Sequence, residues 1–164
     1  MVQMTTVSEG FEPGHAVRLG RILNVSWAVG RGLYNWSEDV MLVQVLLNRA
    51  CGGDRPADSP FAWVRSMPAL VADGIFGPIT HSWILAYQGD PAFCVSVHRD
   101  GRVDPCRSSV RSSITGSVYT IYMLNAHTYL RDPKLLSELH LDPTVPLALR
   151  QKVAALVAAE RMAA

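Results

Sequence analysis

Between Ser37 and Cys51 the chain reads SEDVMLVQVLLNRAC. Val40, Met41, Val43, Val45, Leu46 and Leu47 leave only a narrow polar stripe at Gln44 and Asn48. A helix patterned this way must be nearly surrounded by protein. Ser37 or Asn35 is placed to cap its free amides, and Glu38 and Asp39 stand in the first turn, where the helix dipole favours anions. Gly52-Gly53 then stop it. A second helix is predicted from Pro78 to Gln88, with proline at the first helical position and Gly89 as the stop. A third is predicted over about 117–129, capped by Thr115 and ended by Asp132-Pro133. Pro146 opens a last helix, in which Leu149, Val153, Leu156 and Val157 recur at i, i+4, i+7 and i+8.

Elsewhere the pattern is weaker. Residues 1–15 are polar, with Gly10, Pro13 and Gly14, and are expected to form an arm that orders only against something else. Partial alternation over 17–29 (Leu19, Arg21, Leu23, Val25, Trp27) predicts an extended lead-in with a short strand, punctuated by Gly30 and Gly32. FCVSVH at 93–98 reads as a second short strand. Residues 53–69 hold three prolines and read as an insertion loop with one short turn near 61–65. The expected architecture is mainly α, several short helices on a small core.

With 164 residues, 49% hydrophobic and 18% charged, the chain has the composition of an ordinary globular domain. Lys+Arg at 15 against Asp+Glu at 14 leaves a formal charge of +1. That balance argues against nucleic acid as a partner and against a polybasic membrane anchor. No stretch is apolar for long enough to span a bilayer. MVQMTTVSEGFEPGH lacks the charged and apolar regions of a signal peptide, so synthesis in the cytoplasm is expected. Cys51, Cys94 and Cys106 are odd in number and form no CxxC, so free thiols are expected.

The segment VADGIFGPITHSWILAYQ (71–88) carries the most information. Asp73-Gly74 forms a tight turn whose carboxylate can accept backbone amides and whose glycine permits positive φ. Ile75 and Phe76 are expected to plug the core, Gly77 to relax the backbone, and Pro78 to start a helix with Thr80 in its first turn. This run resembles the peptidoglycan-binding domain family, whose hallmark is DGxFGPxT followed by a helix ending in an aromatic-Gln pair. Here those positions are Asp73, Gly74, Phe76, Gly77, Pro78, Thr80, Tyr87 and Gln88. The family's preceding helix, with its Leu-Leu-Asn-like ending, matches Asp39-Val40, Leu42-Val43-Gln44 and Leu46-Leu47-Asn48. The resemblance covers about 29–89, with a longer spacer than the family usually shows between helix and motif.

The resemblance implies a small orthogonal helical bundle over 29–130, with its core motif at 37–89. An arm at 1–28 would precede it and extra helices at 131–164 would follow. It implies a non-catalytic wall-binding module whose partner is the peptidoglycan glycan or stem peptide. The same fold can instead serve as a structural or adaptor subunit of a phage tail, contractile injection or secretion apparatus, with protein contacts and self-association. A small cell-wall hydrolase is a third reading. The expected place of action is the bacterial wall, reached by lysis or injection, or the interior of a particle. A second run, Asp100-Gly101-Arg102-Val103-Asp104-Pro105, repeats the Asp-Gly-x-apolar-x-Pro pattern ahead of a helix ending Met123-Leu124-Asn125. It reads as a degenerate copy over 98–125, as a segment wrapping back on the first, or as a plain exposed turn.

Catalytic chemistry is not expected. The five histidines form no HExxH, and His98-x-Asp100 is only a close pairing of one of them with a carboxylate. Cys94 and His98 would share a strand face too far apart for contact, and Cys51 sits at a helix C-terminus. Glu38 is explained by dipole compensation, and neither Ser-x-x-Lys nor GxSxG occurs. No metal or cofactor is expected. A groove for glycan or peptide would need aromatic platforms, amide groups and an arginine. Tyr34, Trp36, Asn48, Arg49, Trp83 and Gln88 are the candidates near the motif, with core packing the competing role for Trp83.

Overall fold

The computed structural model describes residues 1–7, 19–92, 94, 96–107 and 109–163, and it is mainly α. A two-stranded antiparallel sheet of β1 (Gln3–Thr6) and β2 (Arg21–Asn24) comes first. Five α-helices follow among the described residues: α1 (Ser37–Cys51), α2 (Pro78–Gln88), α3 (Thr120–Arg131), the single turn α4 (Leu135–Glu138) and α5 (Leu147–Ala163). The crowded apolar pattern of α1 has the expected outcome. Val40, Leu42, Val43, Leu46 and Leu47 are completely buried, with α2, α3 and α5 packed around them. Each such side chain stabilises the fold by about 1.5–3 kcal/mol relative to exposure. Gly52 ends the helix at φ +72°, donating its N–H to the Asn48 carbonyl.

The start of the chain departs from expectation. Residues 1–7 are not an arm. β1 pairs with β2 in the register Gln3 to Asn24 and Thr6 to Arg21, and Val2 and Val7 are buried in the core. Its polar side chains hide this role, because the buried residues flank the strand instead of alternating along it. The rest of the expected arm, 8–15, lies outside the described residues.

Other boundaries move as well. Neither Ser37 nor Asn35 caps α1. Trp36 takes the cap position without a side-chain bond, and Asn35 closes the preceding loop. The third helix begins at Thr120, three residues later than expected, and Thr115 binds the Ser117 amide in a turn of its own. At 93–98 there is no strand among the described residues. Val97 forms only an isolated bridge to Val118, while Phe93 and Val95 lie outside the described set. The insertion at 53–69 folds as two 3-10 turns, Pro56–Asp58 and Ala62–Ser66. Phe61 is buried, and Trp63 rests edge-on against Trp83 with ring centroids 5.5 Å apart.

Within the C-terminal extension the apolar stripe is covered by the chain's own body. Leu149 and Val153 are fully buried, and Leu156 and Val157 pack half-buried against the core. The helix is therefore part of the fold. Deleting residues 145–164 should expose α1 and abolish cooperative unfolding. A truncated chain that kept a sharp thermal transition near the full-length midpoint would contradict this packing.

Candidate functional site

Gln44 projects from the middle of α1 and is 1% exposed. Its amide NH2 faces three acceptors: Asp73 Oδ1 at 3.0 Å, the Ile75 carbonyl at 3.1 Å and Thr80 Oγ1 at 3.1 Å. Its Oε1 accepts the Gly74 N–H at 2.9 Å, and Asp73 Oδ1 accepts the Ile75 N–H at 2.9 Å. Gly74 has φ +75°, and a Cβ there would lie 2.8 Å from the Ser37 carbonyl. One amide thus ties the Asp-Gly turn to the helix before it and to the helix after it.

The second Asp-Gly turn is held in the same way. Gln88, at the end of α2, directs its NH2 to the Arg102 carbonyl at 2.7 Å, Thr120 Oγ1 at 2.9 Å and Asp100 Oδ1 at 3.4 Å. Its Oε1 accepts the Gly101 N–H at 2.8 Å, and Asp100 Oδ1 accepts the Arg102 N–H at 2.9 Å. Gly101 repeats the positive φ at +72°. Gln44, Asp73, Gly74, Ile75 and Thr80 therefore correspond to Gln88, Asp100, Gly101, Arg102 and Thr120. Here α2 is the shared member, contributing Thr80 to one clamp and Gln88 to the other.

The loop entering α1 touches both turns. Gly74 abuts Ser37, while a Cβ on Gly30 would meet Arg102 Cγ at 3.0 Å and the Gly101 carbonyl at 3.2 Å. Val29 and Val103 exchange backbone hydrogen bonds at 3.0 and 2.8 Å. Asn35, at φ +51°, accepts the Gly30 N–H and donates to the Gly30 and Leu33 carbonyls, which closes the loop. Fully buried Asp39 accepts the Ser26 and Trp27 amides at 3.1 and 3.2 Å. On this fixed backbone Trp27, Tyr34 and Trp36 are 58%, 88% and 55% exposed. A cleft of about 430 Å³ is lined by Met1, Trp27, Trp36, Ser37 and Glu38.

The residues singled out from sequence separate into different roles. Tyr34 and Trp36 face solvent on this loop. Trp83 is core: it is 1% exposed and donates Nε1 to the Pro68 carbonyl at 2.9 Å. Asn48 holds the Leu70 carbonyl at 2.8 Å, and Arg49 pairs with Asp54 at 2.9 Å and Asp142 at 2.7 Å. Both are thus engaged in tethering the insertion and the C-terminal segment. Of the motif residues, Gln88 and Thr80 are clamp members, and half-buried Phe76 packs edge-on to His81 at 6.0 Å. Gly77 precedes α2, and Pro78 begins it. Trp27 was missed because the alternation placed it on a strand face with Leu23 and Val25. The strand stops at Asn24, and Asp39 then holds the backbone at Trp27.

The three thiols are buried. Burial pushes Cys94 and Cys106 up to about 12, and it raises Cys51 well above the ordinary thiol value. Cys94 lies in the core beside Tyr87, whereas His98 is exposed at a shallow polar depression with Asp100, Arg102 and Asp104. Tyr87 Oη and His127 Nδ1 are 2.7 Å apart inside the core. No group of three His, Cys, Asp or Glu among the described residues is arranged to hold a metal. No protein-family model, curated protein or solved structure matches the chain.

Replacing Gln88 with Leu strands the Gly101 amide and should destabilise by about 2–3 kcal/mol, with Gln44→Leu similar. Gly74→Val adds backbone strain and a clash with Ser37, and should cost about 1–3 kcal/mol or more. Chemical denaturation measures all three, and unchanged midpoints would refute the clamps. The Ile75 amide, then Gln44, hold the Asp73 carboxyl below its usual range. A lowered folded-state value means the stabilisation is present above the unfolded value, about 3.9, and is lost as pH falls. The Tm gap between wild type and Asp73→Ala should accordingly narrow from pH 7 to pH 3.

Proposed function

We propose that this chain is a non-catalytic peptidoglycan-binding module that acts at the bacterial wall or within a particle that meets it. The observation that carries the reading is the trio Trp27, Tyr34 and Trp36, exposed on a loop braced against two clamped Asp-Gly turns. Exposed aromatic side chains are costly to leave in water unless they meet a partner, and their flat faces suit sugar rings. A braced loop loses little conformational entropy on binding, so more of the contact energy appears as affinity. The resemblance of 71–88 to the wall-binding family supports the same choice. No helix among the described residues is long and apolar enough to cross a membrane.

A protein-docking role in a tail, injection or secretion assembly is the second reading. The exposure of Val71 (66%) and Ile75 (68%), the latter next to Gly74 on the first turn, favours it. These aliphatic side chains suit a protein surface better than a glycan.

A pull-down on purified sacculi separates the two. The chain should be retained, and Trp27→Ala with Trp36→Ala should lower retention about tenfold, equivalent to about 1.4 kcal/mol, without changing Tm. Retention indifferent to both substitutions would sink the aromatic-loop reading. If sacculi fail while size-exclusion chromatography shows association that Ile75→Asp abolishes, the assembly reading takes its place. Incubation with sacculi should release neither reducing ends nor free amines, and release of either by pure protein would overturn the non-catalytic assignment.

A further inference from the structure

The two edges of β2 meet different partners. On the β1 side the Val7 N–H donates to the Gly20 carbonyl at 2.9 Å, while Leu23 turns both its backbone groups to Asn125 on the other side. Backbone groups alternate in direction along a strand. Arg21, two residues before Leu23 and opposite Thr6 in the register, therefore also points its N–H and C=O away from β1. No second amide of α3 meets them, since the residue one turn after Asn125 is Tyr129. Among the described residues nothing hydrogen-bonds to either backbone group of Arg21, and Arg21 is exposed. An unpaired strand edge is a template for another extended chain.

Beside this edge lies a cavity of about 320 Å³, walled by Leu19, Leu23, Tyr129, Leu136 and Val157. Ligand pockets run from about 300 to 1,000 Å³, so this one suits a side chain or two and not a helix. The charged residues lining it are Arg21, Glu160 and Arg161. Arg21 is paired with Glu160 at 2.9 Å, which leaves Arg161 exposed and without an ion pair among the described residues. One uncompensated guanidinium at an apolar opening favours a carboxylate on the occupant.

We propose that β2 accepts an added strand here, an extended segment of a partner protein. Its backbone pairs with Arg21, an apolar side chain enters the cavity, and an acidic side chain meets Arg161. Residues two apart share a face of a strand, so the recognised pattern is apolar-x-acidic. Main-chain hydrogen bonds give such a contact its affinity, and the side-chain pocket gives it selectivity. The surface shares no residue with the aromatic cleft, and its occupant does not depend on what that cleft binds.

The full chain is titrated with two pools of acetylated, amidated hexapeptides. Both carry Leu, Ile or Phe at the third position and Ser or Thr elsewhere, except at the fifth. That position is Asp or Glu in one pool and Lys or Arg in the other. The acidic pool should bind at least tenfold more tightly, shift the Arg21 N–H NMR signal and slow its hydrogen exchange. Only alternate peptide nitrogens face the edge. Methylating one alternate set should abolish binding, and methylating the other should spare it. Arg161→Glu changes the surface alone, so it should leave Tm unchanged and reverse the preference between pools. Equal affinity for the pools, equal tolerance of both methylated sets, or a preference unmoved by Arg161→Glu overturns the proposal. So does binding that leaves Arg21 exchange unchanged. Uptake of decanoate with no binding of either pool also overturns it and assigns the cavity to an acyl chain.

Discussion

Buried side-chain amides hold together the parts of this molecule that are not helix. Gln44 and Gln88 each present one donor group and one acceptor to a turn that has little hydrogen bonding of its own. A buried backbone amide left without a partner costs about 1–3 kcal/mol, so the turn, the helix before it and the helix after it must be correct together. Asparagine does the same for the sheet. Asn125 of α3 exchanges hydrogen bonds with both the N–H and the C=O of Leu23, at 2.9 and 2.8 Å, closing the outer edge of β2 as a further strand would. Asn24 does likewise with the N–H and C=O of Cys106. A chain with a two-stranded sheet thereby satisfies buried backbone that a larger sheet would otherwise pair.

This arrangement explains which features could be read from sequence. α1 and α2 were legible to the residue because their determinants are local: apolar density, Pro78 at a helix start, glycines at the ends. The Asp73-Gly74 turn was legible because its carboxylate and its positive φ act within three residues. Asn125 and Leu23 are 102 positions apart, and nothing near either announces the pairing. β1 was read as an arm because QMTT shows no alternation and its partner strand lies beyond an intervening segment. The late start of α3 has the same origin, since Thr120 belongs to a clamp whose other members lie upstream.

The candidate site was legible in part for a related reason. Tyr34 and Trp36 flank a helix start, a position where sequence alone suggests a surface. Arg49 and Asn48 looked like ligand-binding groups by residue type, yet folding spends them on internal contacts. Residue chemistry names what a side chain can do, and the long-range contacts decide whether it remains available. Trp27 shows the converse. Asp39, whose place in the first helical turn suits the helix dipole, also fixes the backbone at this indole by accepting the Ser26 and Trp27 amides.

Because α2 supplies a member to each clamp, the chain has segments of very unequal tolerance to change in length. The Thr80 to Gln88 spacing cannot vary, since one added residue would swing Gln88 by about 100° around the helix axis and away from its turn. The stretches at 53–72 and 104–119 lie between clamp members that are joined through space. Lengthening such a loop costs only about 0.6 kcal/mol per doubling. Divergent copies of this fold should therefore accumulate insertions and deletions in those two stretches while the register of α2 stays frozen. Aligning them by overall length would scatter the Gln–Asp–Gly–Thr correspondence that defines the architecture.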